Sequence, residues 1–136
     1  MSIVSHSDHW MFLASNGGLS AGRVNSDFAL FPYYTDDKIT ESAEKTGSKT
    51  IILVESDDRR MLWQPFSEQN VGVYSIERNL FKNACGNKVI FEEINHDLGL
   101  TFSYQWAATE RFGFMRHSQL TSNASKATKV SVLDGI

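Results

Sequence analysis

One stretch decides the fold class, and it reads Leu98-Gly99-Leu100-Thr101-Phe102-Ser103-Tyr104-Gln105-Trp106-Ala107-Ala108. Its large apolar side chains fall at every second position. Successive side chains of a β-strand point to opposite faces, so these residues would share one face while the threonine, serine and glutamine share the other. On an α-helix, with about 3.6 residues per turn, the same apolar residues would scatter around the axis. The stretch therefore predicts a strand with one face in the core.

The neighbouring segments alternate in the same way and predict an antiparallel meander. Residues 88–95 precede the stretch, joined to it by the turn-forming Asn95-His96-Asp97, and residues 112–120 follow it. Roughly nine short strands separated by turns are typical of a β-sandwich, so the expected fold is an all-β, antiparallel β-sandwich. The other strand candidates are 9–14, 50–54, 59–64, 71–80 and 128–133, with short irregular strands and a long loop between 19 and 37.

Three further segments have a clear structural interpretation. The glycine-rich residues 16–22 lack the spacing and the lysine of a phosphate loop, so we expect a structural hairpin turn. Residues 50–54 are apolar on both faces, which predicts a central strand covered on both sides. Residues 39–48 are polar and predict a solvated connector with a helical turn or two. The predicted core residues are Ile52, Val54, Phe91, Leu100, Phe102, Tyr104 and Trp106.

The composition excludes some classes of function. A chain of 136 residues is long enough for one domain with its own core. Thirteen basic and sixteen acidic residues give a net charge of −3 without a basic run, so nucleic acid is not an expected partner. The lone Cys85 cannot form an internal disulfide, and neither a leader nor a long apolar span is visible, which favours a cytoplasmic protein without membrane contact. The chain starts and stops close to strand candidates, which suggests a fragment of a longer protein.

The acidic residues do not form a recognisable catalytic pair. Adjacent acids occur at Asp36-Asp37, Asp57-Asp58 and Glu92-Glu93, and glycoside hydrolysis does use two carboxylates. Neighbours on a strand face opposite ways, however, so Glu92 and Glu93 cannot both reach one substrate, and Asp57-Asp58 is typical of a turn. The histidines lack metal-ligand spacing, and no serine or cysteine has a visible base partner. The pair Asp36-Asp37 stays open on this argument. The sequence otherwise predicts no catalytic residue, no metal and no cofactor.

One loop gathers groups suited to binding a sugar. Between Arg23 and Asp37 the strand alternation breaks down, and aromatic rings stand beside acids. Flat aromatic faces with hydrogen-bonding side chains suit a carbohydrate, and loops on a rigid β-scaffold commonly carry binding groups. A packed loop without a ligand is the competing interpretation. The candidate carbohydrate-binding residues are Arg23, Asn25, Tyr33, Tyr34, Asp36 and Asp37.

Several of these segments together resemble one family. Residues 12–20, residues 50–54 with 63–65, and residues 92–102 are similar to the N-terminal β-sandwich of cellobiose phosphorylase-like enzymes. These glycoside phosphorylases remove a terminal sugar by phosphorolysis of a β-glucosidic bond. The resemblance implies a galactose mutarotase-like sandwich, with the catalytic acid and the phosphate site on a helical barrel further along the chain. It assigns no catalytic residue to the present sequence.

The expected function is therefore a non-catalytic domain of a carbohydrate-active enzyme that supports the active site or a subunit contact. Its expected partners are an oligosaccharide and a downstream catalytic domain of the parent chain. Two alternatives stay open: a free-standing β-sandwich that binds carbohydrate or protein without turnover, and a purely structural domain. An open sheet edge after the last strand candidate would favour self-association, with a homodimer as the simplest closed outcome.

Overall fold

The described part of the chain contains nine strands arranged in three antiparallel sheets, so the predicted all-β, sandwich-like fold is confirmed. The computed structural model describes residues 1–30, 36–56 and 59–136. The strands are β1 (His9–Leu13), β2 (Leu19–Arg23), β3 (Lys49–Ser56), β4 (Arg59–Trp63), β5 (Ile76–Lys82), β6 (Lys88–Asn95), β7 (Leu100–Thr109), β8 (Gly113–Ser122) and β9 (Lys129–Gly135). One helical turn, α1 (Asp36–Ile39), and three 3-10 turns, Ser26–Phe28, Thr40–Ser42 and Glu68–Asn70, lie between them.

The largest sheet is the predicted meander, with the strand order β5-β6-β7-β8. Along β7, Leu100, Phe102, Tyr104 and Trp106 are buried while the residues between them are half-buried, as the alternation predicts. The turn before β7 also forms where it was expected. The side-chain oxygen of Asn95 accepts a hydrogen bond from the backbone nitrogen of Leu98 at 3.0 Å, which closes this turn.

The second sheet has the order β4-β3-β9, so β3 is a central strand as predicted. Ile52 and Val54 point into the core and are buried, but Ile51 and Leu53 are only half-buried. The expectation that both faces of β3 are covered was therefore wrong. The outer face of β3 has apolar neighbours within its own sheet, such as Leu62, but it is not buried as the inner face is.

The third sheet is the hairpin of β1 and β2, with Leu13 opposite Leu19 at the turn and His9 opposite Arg23 at the open end. The glycine-rich turn is structural, as predicted. Gly17 has a φ of 90°, which glycine adopts without strain. At Gly18 a Cβ atom would lie 2.2 Å from the carbonyl oxygen of Ile39, so only glycine permits this close approach.

All the predicted core residues are buried in one apolar cluster to which all three sheets contribute. Aromatic rings fill its centre. The ring of Phe91 stacks on that of Tyr104 with centroids 4.9 Å apart, and Phe66 meets Tyr104 edge-on at 5.3 Å. Such offset and edge-on contacts add to the free energy gained by burying the rings.

Two boundaries differ from the sequence prediction. The strand expected at 71–80 begins only at Ile76, because the positive φ of Gly72 (78°) belongs to a turn. The carboxylate of Asp97 then accepts a hydrogen bond from the backbone nitrogen of Ser75 at 2.7 Å. The N–H group of Ser75 therefore bonds to a side chain and not to a neighbouring strand. The polar connector begins earlier than expected, as α1 at Asp36. The predicted turn at Asp57-Asp58 lies outside the described residues.

Candidate functional site

Those predicted sugar-binding residues that the structure describes lie at two ends of the β1–β2 hairpin. Arg23 ends β2 at the open end of the hairpin and is exposed. Asn25 follows it, and its side-chain oxygen accepts a hydrogen bond from the backbone nitrogen of Asp27 at 3.0 Å. Asn25 therefore caps a 3-10 turn, while part of its side chain stays exposed. Tyr33 and Tyr34 lie outside the described residues.

Asp36 and Asp37 begin α1, which lies at the other end of the hairpin. The side-chain nitrogen of Asn16 in the hairpin turn donates to the carbonyl oxygen of Thr40 at 2.9 Å, and Ile39 is buried beside Gly18. The described candidates thus form two groups, with residues 31–35 between them in the chain. Carbohydrate binding by these residues stays a prediction.

A cleft that the sequence analysis missed lies beside α1. Its volume is about 590 Å³, within the range of roughly 300–1,000 Å³ found for small-molecule sites. Because the lining residues come from three separate segments, no local pattern in the sequence indicates the cleft. The lining residues are Met1, Ser2, Phe12, Leu13, Ala14, Ser15, Ile39 and Thr40.

A buried carboxylate lies at the centre of the molecule. Glu93 points from β6 into the core, on the same face as Phe91, and is 0% exposed. One of its oxygens accepts a hydrogen bond from Trp63 Nε1 at 2.7 Å. The other accepts from the backbone nitrogen of Phe66 at 2.7 Å and from Arg78 Nε at 2.8 Å. A buried charge is tolerated only when it is paired and hydrogen-bonded, and Glu93 meets both conditions.

We refer to the buried acid and its three hydrogen-bond donors as the Glu93 cluster, which consists of Glu93, Trp63, Phe66 and Arg78. Phe66 has a φ of 67°, a strained value for a residue with a side chain. The bond from its backbone nitrogen to Glu93 holds this conformation and keeps the Phe66 ring against the core aromatics. The Glu93 cluster therefore fixes the turn that follows β4 and ties it to β6.

Arg78 extends the Glu93 cluster to the surface. Its guanidinium also donates to Glu68 at 3.0 Å and to the carbonyl oxygen of Ser67 at 3.0 Å. Burial lowers the pKa of Arg78, but the hydrogen bonds to Glu93 and Glu68 outweigh this and raise the pKa above its ordinary value. Arg78 thus stays charged and pairs with the buried acid.

A second polar cluster joins the edges of the two larger sheets. Arg116 of β8 binds both carboxylate oxygens of Asp134 in β9, at 2.6 and 2.8 Å, and donates to Ser48 at 3.0 Å. The hydroxyl of Thr50 donates to Asp134 at 2.6 Å. The guanidinium lies 4.8 Å from the ring centre of Tyr104, a cation–π contact. This bidentate arrangement is the strong form of an ion pair.

We expect the pair of Arg116 and Asp134 to make stability depend on pH in acid. Burial raises the pKa of Asp134, but hydrogen bonds from Arg116 and Thr50 outweigh it and lower the pKa from 3.8 to about 2. A lowered folded-state pKa adds stability above the unfolded value, and this stability is lost as the pH falls from about 4 to about 2. Asp134→Asn should therefore cost about 1–2 kcal/mol at pH 6, and less as the pH approaches 2.

Urea denaturation at several pH values measures this difference. The matched control is Glu110→Gln, at an exposed acid, which should leave the curve of stability against pH unchanged. A constant difference between Asp134→Asn and the parent from pH 6 to pH 2 would contradict the assignment.

Glu92 and Glu93 point to opposite faces of β6, as predicted, since Glu93 is buried and Glu92 is half-buried on the other face. Within residues 1–30, 36–56 and 59–136, no three His, Cys, Asp or Glu side chains are grouped as metal ligands would be. In the same part of the chain, no helix has the length and apolar character needed to cross a membrane.

No protein-family model matches the chain, and no match is found among curated proteins.

Proposed function

We propose that this chain is a non-catalytic β-sandwich domain of a carbohydrate-active enzyme of the cellobiose phosphorylase type. Its role is to support the active site or a subunit contact in a cytoplasmic enzyme, next to a catalytic domain. The all-β, sandwich-like architecture supports the proposal, as do residues 12–20, 50–54 and 92–102 through their resemblance to that family. A galactose mutarotase-like fold is part of the proposal.

The Glu93 cluster is the main observation in support of a domain that does not catalyse a reaction. A catalytic acid must exchange a proton with a bound substrate and needs to be within hydrogen-bond reach of it. Glu93 is closed off from solvent, and its two oxygens already accept three hydrogen bonds from the protein. Its carboxylate therefore serves the structure and is not free for chemistry.

An apolar outer surface supports the contact role. Ile51 and Leu53 lie on the outer face of β3, with Leu62 of β4 and Leu133 of β9 beside them on the same face. Leu62 is 50% exposed and Leu133 is 69% exposed. Adjoining exposed apolar side chains are typical of a surface that contacts another protein. The proposed partner for this outer face is the catalytic domain.

If the domain belongs to a carbohydrate-active enzyme as proposed, we expect residues 23–37 to bind a gluco-oligosaccharide weakly. A few hydrogen bonds worth about 0.5–1.5 kcal/mol each must offset the ordering of ligand and loop, so affinity of about a millimolar is expected. Titration of cellobiose and longer glucans against amide resonances should shift signals of residues 23–37 and of the adjoining cleft. Arg23→Ala should weaken binding, whereas Arg111→Ala, at another exposed arginine, should not. Shifts confined to other regions, or no shifts at all, would favour a purely structural domain.

A further inference from the structure

We propose that the cleft beside α1 binds one uncharged sugar ring, which packs on the side chain of Phe12. This site rests on the proposed function, which supplies the gluco-oligosaccharide, and it adds the place where one ring of that ligand is held. The size of the cleft, the chemistry of its wall and the bonds that hold the wall in place support it.

Two cavities in the described part of the chain have the volume of a small-molecule site, which is roughly 300–1,000 Å³. The cleft beside α1 measures about 590 Å³. A smaller cavity of about 320 Å³ lies between Asn70 and Arg78. Both are large enough for a sugar ring, so the groups on their walls decide between them.

The walls of the two cavities differ in charge. None of the described side chains that line the cleft is charged, and Ser2, Ser15 and Thr40 supply hydroxyl groups. The wall of the smaller cavity includes Arg78, which is ion-paired with Glu68 and Glu93. An uncharged ring placed there would take these charges out of water without replacing their hydration. The cleft is therefore the better site for a neutral sugar.

Phe12 is the aromatic ring on the wall of the cleft. It lies on the face of β1 opposite the buried Met11 and Leu13, and it is half-buried. The ring of Trp10, on the same face, lies 5.8 Å away and limits its movement. Ser2 is paired with Phe12 in a β-bridge, so its hydroxyl group is on this face as well.

This arrangement matches the chemistry of a pyranose ring. Such a ring has an apolar face of C–H groups and carries hydroxyl groups around its edge. The apolar face can pack on Phe12 and leave water, while the ring hydroxyls can exchange hydrogen bonds with the serine and threonine hydroxyls of the wall. One sugar ring thus uses both kinds of group that the cleft provides.

Hydrogen bonds hold two walls of the cleft in place. The side-chain nitrogen of Asn16 donates to the carbonyl oxygen of Thr40 at 2.9 Å, which ties the segment after α1 to the hairpin turn. Met1 and Leu13 exchange two bonds of 2.7 Å between their backbone nitrogens and carbonyl oxygens. A wall that is already ordered lowers the entropic cost of binding a ligand.

Titration of methyl β-glucoside, a single uncharged sugar ring, tests the site on the unsubstituted chain. Amide resonances of residues 12–15 and of Ile39 and Thr40 should show the largest shifts. Methyl β-glucuronide has the same ring with a carboxylate attached, and it should shift these signals less at equal concentration, because its charge would lose hydration in the cleft.

Phe12→Leu should weaken the binding of cellobiose about fivefold or more, because it removes the flat ring but keeps an apolar side chain. The matched control is Tyr74→Leu, which removes an aromatic ring from the wall of the smaller cavity and should bind cellobiose like the parent. The dispersion of the amide spectrum shows whether each variant is folded.

The outcomes separate this site from the proposed function. Shifts confined to residues 23–30, with full binding by Phe12→Leu, would overturn the cleft site and leave the proposed sugar binding intact. Shifts around Asn70 and Tyr74, or no binding of any of these sugars, would contradict both.

Discussion

Glu93→Ala is expected to lower the free energy of unfolding by about 3–5 kcal/mol, because it removes the buried partner of a charged residue. Arg78 would keep its charge without the buried acid, and Trp63 Nε1 and the backbone nitrogen of Phe66 would lose their acceptor. The strained backbone of Phe66 would also lose the bond that holds it. Urea denaturation followed by tryptophan fluorescence measures the change.

The neighbouring acid gives a matched control for this prediction. Glu92 lies one position earlier on the opposite face of β6 and is half-buried. Glu92→Ala should change the free energy of unfolding by no more than about 0.5 kcal/mol. If the two variants were equally stable, the Glu93 cluster would not hold the turn after β4 to the core.

Phe102→Ala is expected to cost about 3–5 kcal/mol, through lost burial and the cavity left behind. Phe102 is 1% exposed and lies in the middle of β7, where its ring contacts those of Phe66 and Tyr104. A domain is typically stable by roughly 5–15 kcal/mol, so this variant should unfold at a much lower denaturant concentration.

Phe112→Ala serves as the comparison for Phe102→Ala, because it deletes the same side chain at a position that is 73% exposed. Its effect should stay within about 0.5 kcal/mol. A Phe102→Ala variant as stable as Phe112→Ala would mean that the alternating face of β7 is not the core.

The strands of the meander could be predicted because their pattern is local. On β7 the large residues Leu100, Phe102, Tyr104 and Trp106 repeat at the period of a strand, and burial follows that period residue by residue. The turn at Asn95 is local as well. The extent of β5 was harder to predict, since residues 71–75 have the composition of a strand but are held in a turn by Gly72 and by the distant Asp97.

The burial of Glu93 had a signal that the sequence analysis did not use. Glu93 shares its strand parity with Val89 and Phe91, so the alternation that places these two in the core places the acid there too. The partners of Glu93 could not be read from any pattern. Trp63 and Arg78 are 30 and 15 residues away in the chain and meet Glu93 only once the sheets have packed.

The candidate site was the least predictable part. The segment from Arg23 to Asp37 was chosen for its chemistry, but a hairpin separates Arg23 from α1. Residues that are close in sequence and chemically alike need not lie close together in the fold. The cleft beside α1 brings together the N-terminal residues, the end of β1 and the end of α1, which no single stretch of sequence could indicate.

The most direct test of our central proposal, a domain that does no carbohydrate chemistry itself, is phosphorus NMR of the purified chain with cellobiose and inorganic phosphate. The buried and fully hydrogen-bonded state of Glu93 predicts no sugar phosphate above a protein-free blank. The Glu92→Gln variant and the parent chain should both give the sugar phosphate signal of the protein-free blank. Release of sugar phosphate in proportion to the concentration of the chain would contradict the account.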